Sequence, residues 1–243
     1  DRGGGRGGCW REAGADLGEF VVLPPAARRI TGGDEQLGRL VLVRHCETES
    51  NAAGVVLGSS DEPLSSRGIF QAELVGEYVN RNFGIDRVLS SDLARCVDTA
   101  RRIDAPMSTS LLLRELDFGE WEGRKWSELG LDYVETAEKV RRLRVADPNF
   151  SAPGGELLSS LSERVERLIA EEGLRESEQT FAVVAHAGVL RVLATSMLKW
   201  PIAASGSLTM FVGSISSIFT RHDIPRLDLL NYFDHLAPSY TES

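Results

Sequence analysis

Cysteine is scarce in this chain. Cys9, Cys46 and Cys96 are three thiols in 243 residues, widely spaced and without a CxxC pair. That pattern excludes a disulfide framework and a structural zinc site, and it points to a reducing compartment. Basic charge is also short: 27 Lys and Arg stand against 36 Asp and Glu, a formal net charge of −9. A general nucleic-acid binder would need a basic face, so that class is excluded. No apolar run approaches the length of a membrane span, and no internal repeat is present. What remains is 42% hydrophobic and 26% charged, enough to bury the core of one large domain.

Residues 1–38 read differently from the rest. Gly3-Gly4-Gly5-Arg6-Gly7-Gly8, Pro24-Pro25 and Gly32-Gly33 carry no sustained period, so the stretch reads as a flexible extension. A targeting peptide is the rival, so organellar targeting stays open, but Glu12, Asp16 and Glu19 spoil the acid-poor composition a transit peptide needs. The missing initial Met leaves a fragment or a processed form open.

From Arg39 onward strands alternate with helices. Leu40 to Val43 is a short buried strand. Ser65 caps a helix with Ile69, Ala72, Val75 and Val79 on one face. Arg87 to Ser90 is a second strand and Asp92 to Arg102 a helix. Glu156 to Glu172 is the clearest helix, with Leu157, Leu158, Leu161, Val165, Leu168 and Ile169 on one stripe. Thr180 to Ala185 is a strand, and Val189 to Lys199 a helix stopped by Pro201. Ser214 to Arg221 and Arg226 to Asn231 suit a hairpin at a sheet edge. The pattern predicts an α/β fold with a mostly parallel central sheet and helices on both faces.

Two of these strands deliver a histidine at their C-terminal ends, Arg44-His45 and Ala185-His186. In open α/β sheets ligands bind beyond the strand C-termini, and two imidazoles with a guanidinium suit a site that attacks and holds a phosphoryl group. Further segments surround them in order. They are Gly58-Ser59-Ser60-Asp61 leading to Ser65-Ser66-Arg67-Gly68, Ser90-Ser91-Asp92-Leu93-Ala94-Arg95, Leu113-Arg114-Glu115 running to Trp121-Glu122-Gly123, and Pro153-Gly154-Gly155-Glu156.

This ordered set, from about Arg39 to Leu236, resembles the histidine phosphatase superfamily, the group that includes cofactor-dependent phosphoglycerate mutases. The resemblance implies a phosphoglycerate mutase-like domain over residues 39–243. It also implies roles. His45 matches the nucleophile that becomes phosphohistidine. Arg44 and Arg95 match the pair that clamps phosphate oxygens, and His186 matches a second phosphate-pocket histidine whose added positive charge serves the transferring group. Glu115 matches the proton donor to the leaving alcohol, and Asn51 a pocket amide. The N–H groups of Ala187 and Gly188, at a helix start, add to the anion site. No cofactor and no metal are implied.

The reaction implied is phosphomonoester hydrolysis on small phosphorylated metabolites in the cytoplasm, with no nucleic-acid or membrane partner and a homodimer left open. Mutase-type transfer and a silent, binding-only relative are the alternatives. One departure stands out: Cys46 occupies the position after the nucleophile where the family usually has glycine. Cys46 reads as a tolerated small residue, with a thiol of lowered pKa beside His45 and Arg44, open to oxidation, as the alternative; Cys96 is expected to point away from the phosphate. Thr48 reads as a loop-fixing hydroxyl, His235 as a structural hydrogen bonder, His222 as a surface residue, and Trp121 and Trp126 as packing.

Overall fold

A computed structural model describes residues 38–129, 143, 146–220 and 225–240. The expected extension over 1–38 lies, apart from Gly38, outside the described residues, as does His222. Among those described, six strands form one sheet: β1 (Arg39–Arg44), β2 (Arg87–Ser91), β3 (Met107–Ser110), β4 (Thr180–Ala185), β5 (Ile215–Phe219) and β6 (Arg226–Tyr232), in the order β3-β2-β4-β1-β5-β6. The first four in that order run parallel. β5 is antiparallel to β1, and β6 pairs antiparallel with β5 as the expected edge hairpin.

Both parities of the central strands are apolar because both faces are covered. Leu40 and Leu42 of β1 belong to one core with Leu161, Val165 and Leu168 of α4 (Leu158–Glu171) and Val189, Val192 and Leu193 of α5 (Ala187–Met197). Val41 and Val43 point the other way. They pack with Ala72, Val75 and Val79 of α2 (Ser66–Asn82) and with Cys96 and Ala100 of α3 (Ala94–Ala100). Each such side chain stabilises the fold by roughly 1.5–3 kcal/mol, so the two layers fix the sheet that carries the histidines.

Four details differ from the sequence reading. β3, Met-Ser-Thr-Ser, is an edge strand with exposed side chains and so carries no apolar signal. A short helix, α1 (Glu49–Ala53), follows β1, held by a capping box between Thr48 and Asn51. α4 starts at Leu158 rather than Glu156, because the Glu156 N–H bonds Asp117 O outside the helix. Leu157 is accordingly exposed, and Ile69 at the start of α2 is exposed as well.

The register of β1 on β4 matters most for the site. Arg44 pairs with Ala185, and the His45 N–H donates to Ala185 O at 2.9 Å. His45 and His186 therefore leave adjacent strands at the same height. The loop after His45 is clamped by the start of α2. The Ser65 N–H donates to Glu47 O, the Glu47 N–H to Gln71 Oε1, and the Gly68 N–H to the Ser65 cap. A Cβ at Gly68 would stand 1.9 Å from Glu47 O, so only glycine allows that approach.

Candidate active site

His45 and His186 meet with ring centroids 5.1 Å apart at an interplanar angle of 60°. His45 Nδ1 lies 2.7 Å from Cys46 O. A carbonyl only accepts, so Nδ1 carries the proton and Nε2 keeps its lone pair. Burial, then Arg44 and Arg95, hold the imidazole well below its ordinary pKa, against the pull of the Cys46 carbonyl. At neutral pH the ring is neutral, with a free Nε2 lone pair. His186 Nε2 lies 3.0 Å from Ser91 Oγ and 3.3 Å from Cys96 Sγ. Burial, followed by His45, Arg95 and Arg44, pushes its pKa well down too. The positive charge expected at His186 is therefore not carried by this pocket at neutral pH. The buried cations around the ring disfavour another charge, so it presents an N–H.

The two arginines are fixed by main chain rather than by carboxylates. Arg44 donates Nη1–H to Met210 O at 2.8 Å. Arg95, in the first turn of α3, donates to Ser60 O and Gly58 O, each at 2.8 Å. Burial lowers Arg44 to about 10, with the Glu115 carboxylate opposing the shift, and burial lowers Arg95 as well. Each keeps a buried Nε without a protein partner. A buried, unpaired guanidinium N–H is costly unless an anion satisfies it.

The loop that seats Arg95 is itself held. Glu122 accepts from the Ser59 N–H at 2.7 Å, the Ser60 N–H at 3.0 Å and both serine hydroxyls. Burial pushes this carboxyl up, but those donors outweigh it and leave it below its ordinary value. Asp61 Oδ1 accepts the Ala94 N–H at 2.8 Å, capping α3 where its N-cap Leu93 has no side-chain bond.

Glu115 follows the 3-10 turn Leu111–Leu113 and reaches the start of α5. Its Oε2 accepts from the Gly188 N–H at 3.0 Å, and its Oε1 from the Leu116 and Val189 N–H groups at 2.9 and 3.3 Å. A Cβ on Gly188 would meet Glu115 Oε1 at 2.3 Å, which explains the glycine. This revises one expectation: the Gly188 N–H engages the carboxylate instead of standing open to an anion, while Ala187 occupies the first turn beside it. Asn51 uses Oδ1 to accept the Thr48 N–H, so the NH2 end of its amide is the one turned to other partners.

The structure places both thiols inside the fold. Cys46 belongs to the core shared with Val43 and Leu236, and burial pushes its thiol up to about 12. Positive φ among described non-glycine residues occurs only at Ala146, Lys199 and Asn231, so cysteine meets no strain at position 46. The lowered pKa of the alternative reading fails because the side chain turns into the core and burial raises it. Cys96, expected to point away from the phosphate, backs the His186 ring from the Nε2 side at 3.3 Å. It is the third residue of α3 and packs with Ala182 and Val184 of β4.

His235 donates from Nε2 to Gly213 O at 3.1 Å, and the Gly213 N–H reaches the Arg44 and His45 carbonyls, each at 3.1 Å. Thr48 accepts the Asn51 N–H as a loop-fixing hydroxyl. Trp121 is buried against Phe150, and Trp126 meets Phe118 edge-on. Sequence reasoning missed Ser91, which holds His186, and Arg164. Arg164 bonds Leu112 O and Glu115 O while forking onto Glu156. A guanidinium in the second turn of a helix carries no sequence signal for that task.

Comparison with known proteins places the chain. Residues 40–232 match the histidine phosphatase superfamily (branch 1), and the chain belongs to that family. An adenosylcobalamin/alpha-ribazole phosphatase from Salmonella typhimurium is 34% identical over 197 residues, 79% of this chain and 96% of the relative. A probable phosphoglycerate mutase from Salmonella typhi is 35% identical over 74% of this chain and 84% of its own length. Among solved structures, a mycobacterial glucosyl-3-phosphoglycerate phosphatase superposes with a TM-score of 0.70 at 29% identity, covering 80% of this chain and 99% of that one.

Proposed function

We propose that this chain hydrolyses phosphomonoesters of small metabolites through a phosphohistidine on His45. The observation that carries the reading is the His45 ring, whose Nδ1 proton is committed to Cys46 O and whose Nε2 lone pair sits among Arg44, Arg95 and His186. Nε2 attacks phosphorus as the ester P–O bond breaks. Glu115, having taken up the proton that the phosphomonoester monoanion brings in, passes it to the departing oxygen, and the alcohol leaves. A water then gives its proton to Glu115 and attacks phosphorus, releasing inorganic phosphate and restoring neutral His45. The Nε–H groups of Arg44 and Arg95 and the Asn51 amide bind the equatorial oxygens as charge develops.

The phosphatase names of relatives over nearly their whole length support hydrolysis over transfer. The 35% identical relative named as a probable mutase is the specific ground for testing transfer beside it. Nucleic acid is no part of this reading. No helix among the described residues is long and apolar enough to cross a membrane, and we place the reaction in the cytoplasm, acting on soluble substrates.

Quenched-flow 31P NMR with a phosphomonoester should show a transient phosphohistidine and stoichiometric phosphate release, undiminished by excess chelator. A panel beginning with alpha-ribazole 5′-phosphate and glucosyl-3-phosphoglycerate narrows the substrate. Phosphoryl transfer between glycerate hydroxyls without phosphate release would establish the mutase. Absence of any phosphohistidine would leave a binding module.

A further inference from the structure

Two side chains that the reaction itself does not use face one nitrogen of His186. Ser91, the last residue of β2, and Cys96, in α3, converge on one nitrogen, Nε2, at 3.0 and 3.3 Å. The other nitrogen, Nδ1, has the same sulfur at 3.8 Å as its nearest partner. The protons can be placed by accounting. Burial raises the Cys96 thiol far above neutrality, so it keeps its S–H. Ser91 Oγ accepts the Leu93 N–H at 3.4 Å, and its own O–H has the imidazole nitrogen and a sulfur within reach. Thioether and thiol sulfur are weak acceptors, whereas an imidazole lone pair is a good one. An Nε2–H tautomer would force the Ser91 O–H onto the sulfur, a weak acceptor, and would set the ring proton against the Cys96 S–H.

We propose that Ser91, assisted by Cys96, donates to His186 Nε2 and thereby holds the Nδ1–H tautomer, making Ser91 the positioning residue that turns a neutral N–H donor toward the phosphoryl group. The role in turnover rests on the phosphatase reading; the tautomer does not. His186 then needs no proton from solvent to bind an equatorial oxygen, which fits a ring held neutral by the cations around it.

Ring 15N NMR of the full chain at pH 8, with the His186 signals assigned by their loss in His186→Gln, reads the tautomer directly in the resting protein. Expected are a protonated-type shift at Nδ1 and an unprotonated-type shift at Nε2. The reverse pattern would overturn the proposal whether or not the chain is a phosphatase. Ser91→Ala should lower kcat by about tenfold, leave KM nearly unchanged, and move the His186 ring toward a mixture of tautomers. Ser91→Thr, which keeps the hydroxyl, should restore both the spectrum and most of the rate. Cys96→Ala should lower kcat only two- to threefold, roughly the share of a weaker S–H donor. If Ser91→Ala loses rate while its His186 spectrum stays that of the wild type, the serine is structural and the proposal fails.

Discussion

The ends of β1 and β4 look alike in sequence and are opposite in chemistry. Each is a buried strand followed by a histidine, the two in register, and each imidazole is driven well below its ordinary pKa by burial and shared cations. The difference lies in which nitrogen the protein occupies. At His45 a backbone carbonyl takes the Nδ1 proton and leaves Nε2 bare. At His186 a hydroxyl and a thiol face Nε2. On the proposed mechanism one ring is the nucleophile and the other a donor, so the chemistry would be assigned by the partner of the spare nitrogen rather than by the strand that delivers it.

The sharpest way to break this comparison is to remove each ring in turn. His45→Ala should lower kcat by on the order of 10⁴ or more, since it deletes the atom that forms the intermediate. His186→Ala should cost about 10²-fold, the scale of one lost donor to a developing anion. Phosphohistidine should vanish in the first variant and persist in the second. Equal losses, or phosphohistidine surviving in His45→Ala, would show that the two roles are misassigned.

Glu115 belongs to the β4 end, bound to the start of α5, yet it serves chemistry that begins at the β1 end. Glu115→Gln should slow sugar phosphates by about 10²-fold and nitrophenyl phosphate far less, because a proton donor matters in proportion to the basicity of the leaving oxygen. Similar losses on both esters would move the acid elsewhere.

Much of this contrast was legible in the sequence, and the unread part has a common cause. The strands that carry the histidines are continuous apolar runs, and the motifs around them keep fixed order, so the sheet, its helices and most pocket residues could be assigned. β3 was missed because an edge strand has no buried face to signal. Ser91, Arg164 and the hold of Glu122 on the Arg95 loop were missed because they act across 95, 49 and 62 residues of chain. Charge state was misjudged at His186 because it depends on how many cations share the pocket, which only the fold determines.

Acid should treat the two ends alike. A histidine with a depressed folded pKa binds fewer protons in the native state than in the unfolded one. Its stabilisation is full above the unfolded value near 6.5 and is lost as pH falls toward the folded value. His45 and His186 both follow that sign, and so does His235, lowered to about 4 by burial. The melting temperature should therefore decline steadily between about pH 6.5 and 4, and His235→Asn should flatten the upper part of that decline. A melting temperature constant across this window would mean that these rings are protonated in the native protein.

The smallest expected effect separates the two thiols. Cys46 adjoins His45 in sequence but packs into the α2–α3 core, while Cys96 lies far from His186 in sequence and touches it. Both thiols are buried with raised pKa values, so neither offers the exposed thiolate that peroxide needs. Cys46→Gly then removes a buried side chain while keeping the carbonyl that binds His45 Nδ1. It should cost about 1–2 kcal/mol of stability, read as roughly 3–6 °C in melting temperature, with kcat and KM nearly unchanged below the transition. Cys96→Ala should behave in the opposite way, losing some rate through the His186 contact. If Cys46→Gly loses turnover at full stability, or if the wild type is inactivated by mild peroxide and Cys46→Gly is not, the thiol faces the reactive side of the loop. The β1 end would then carry a second reactive group beside His45.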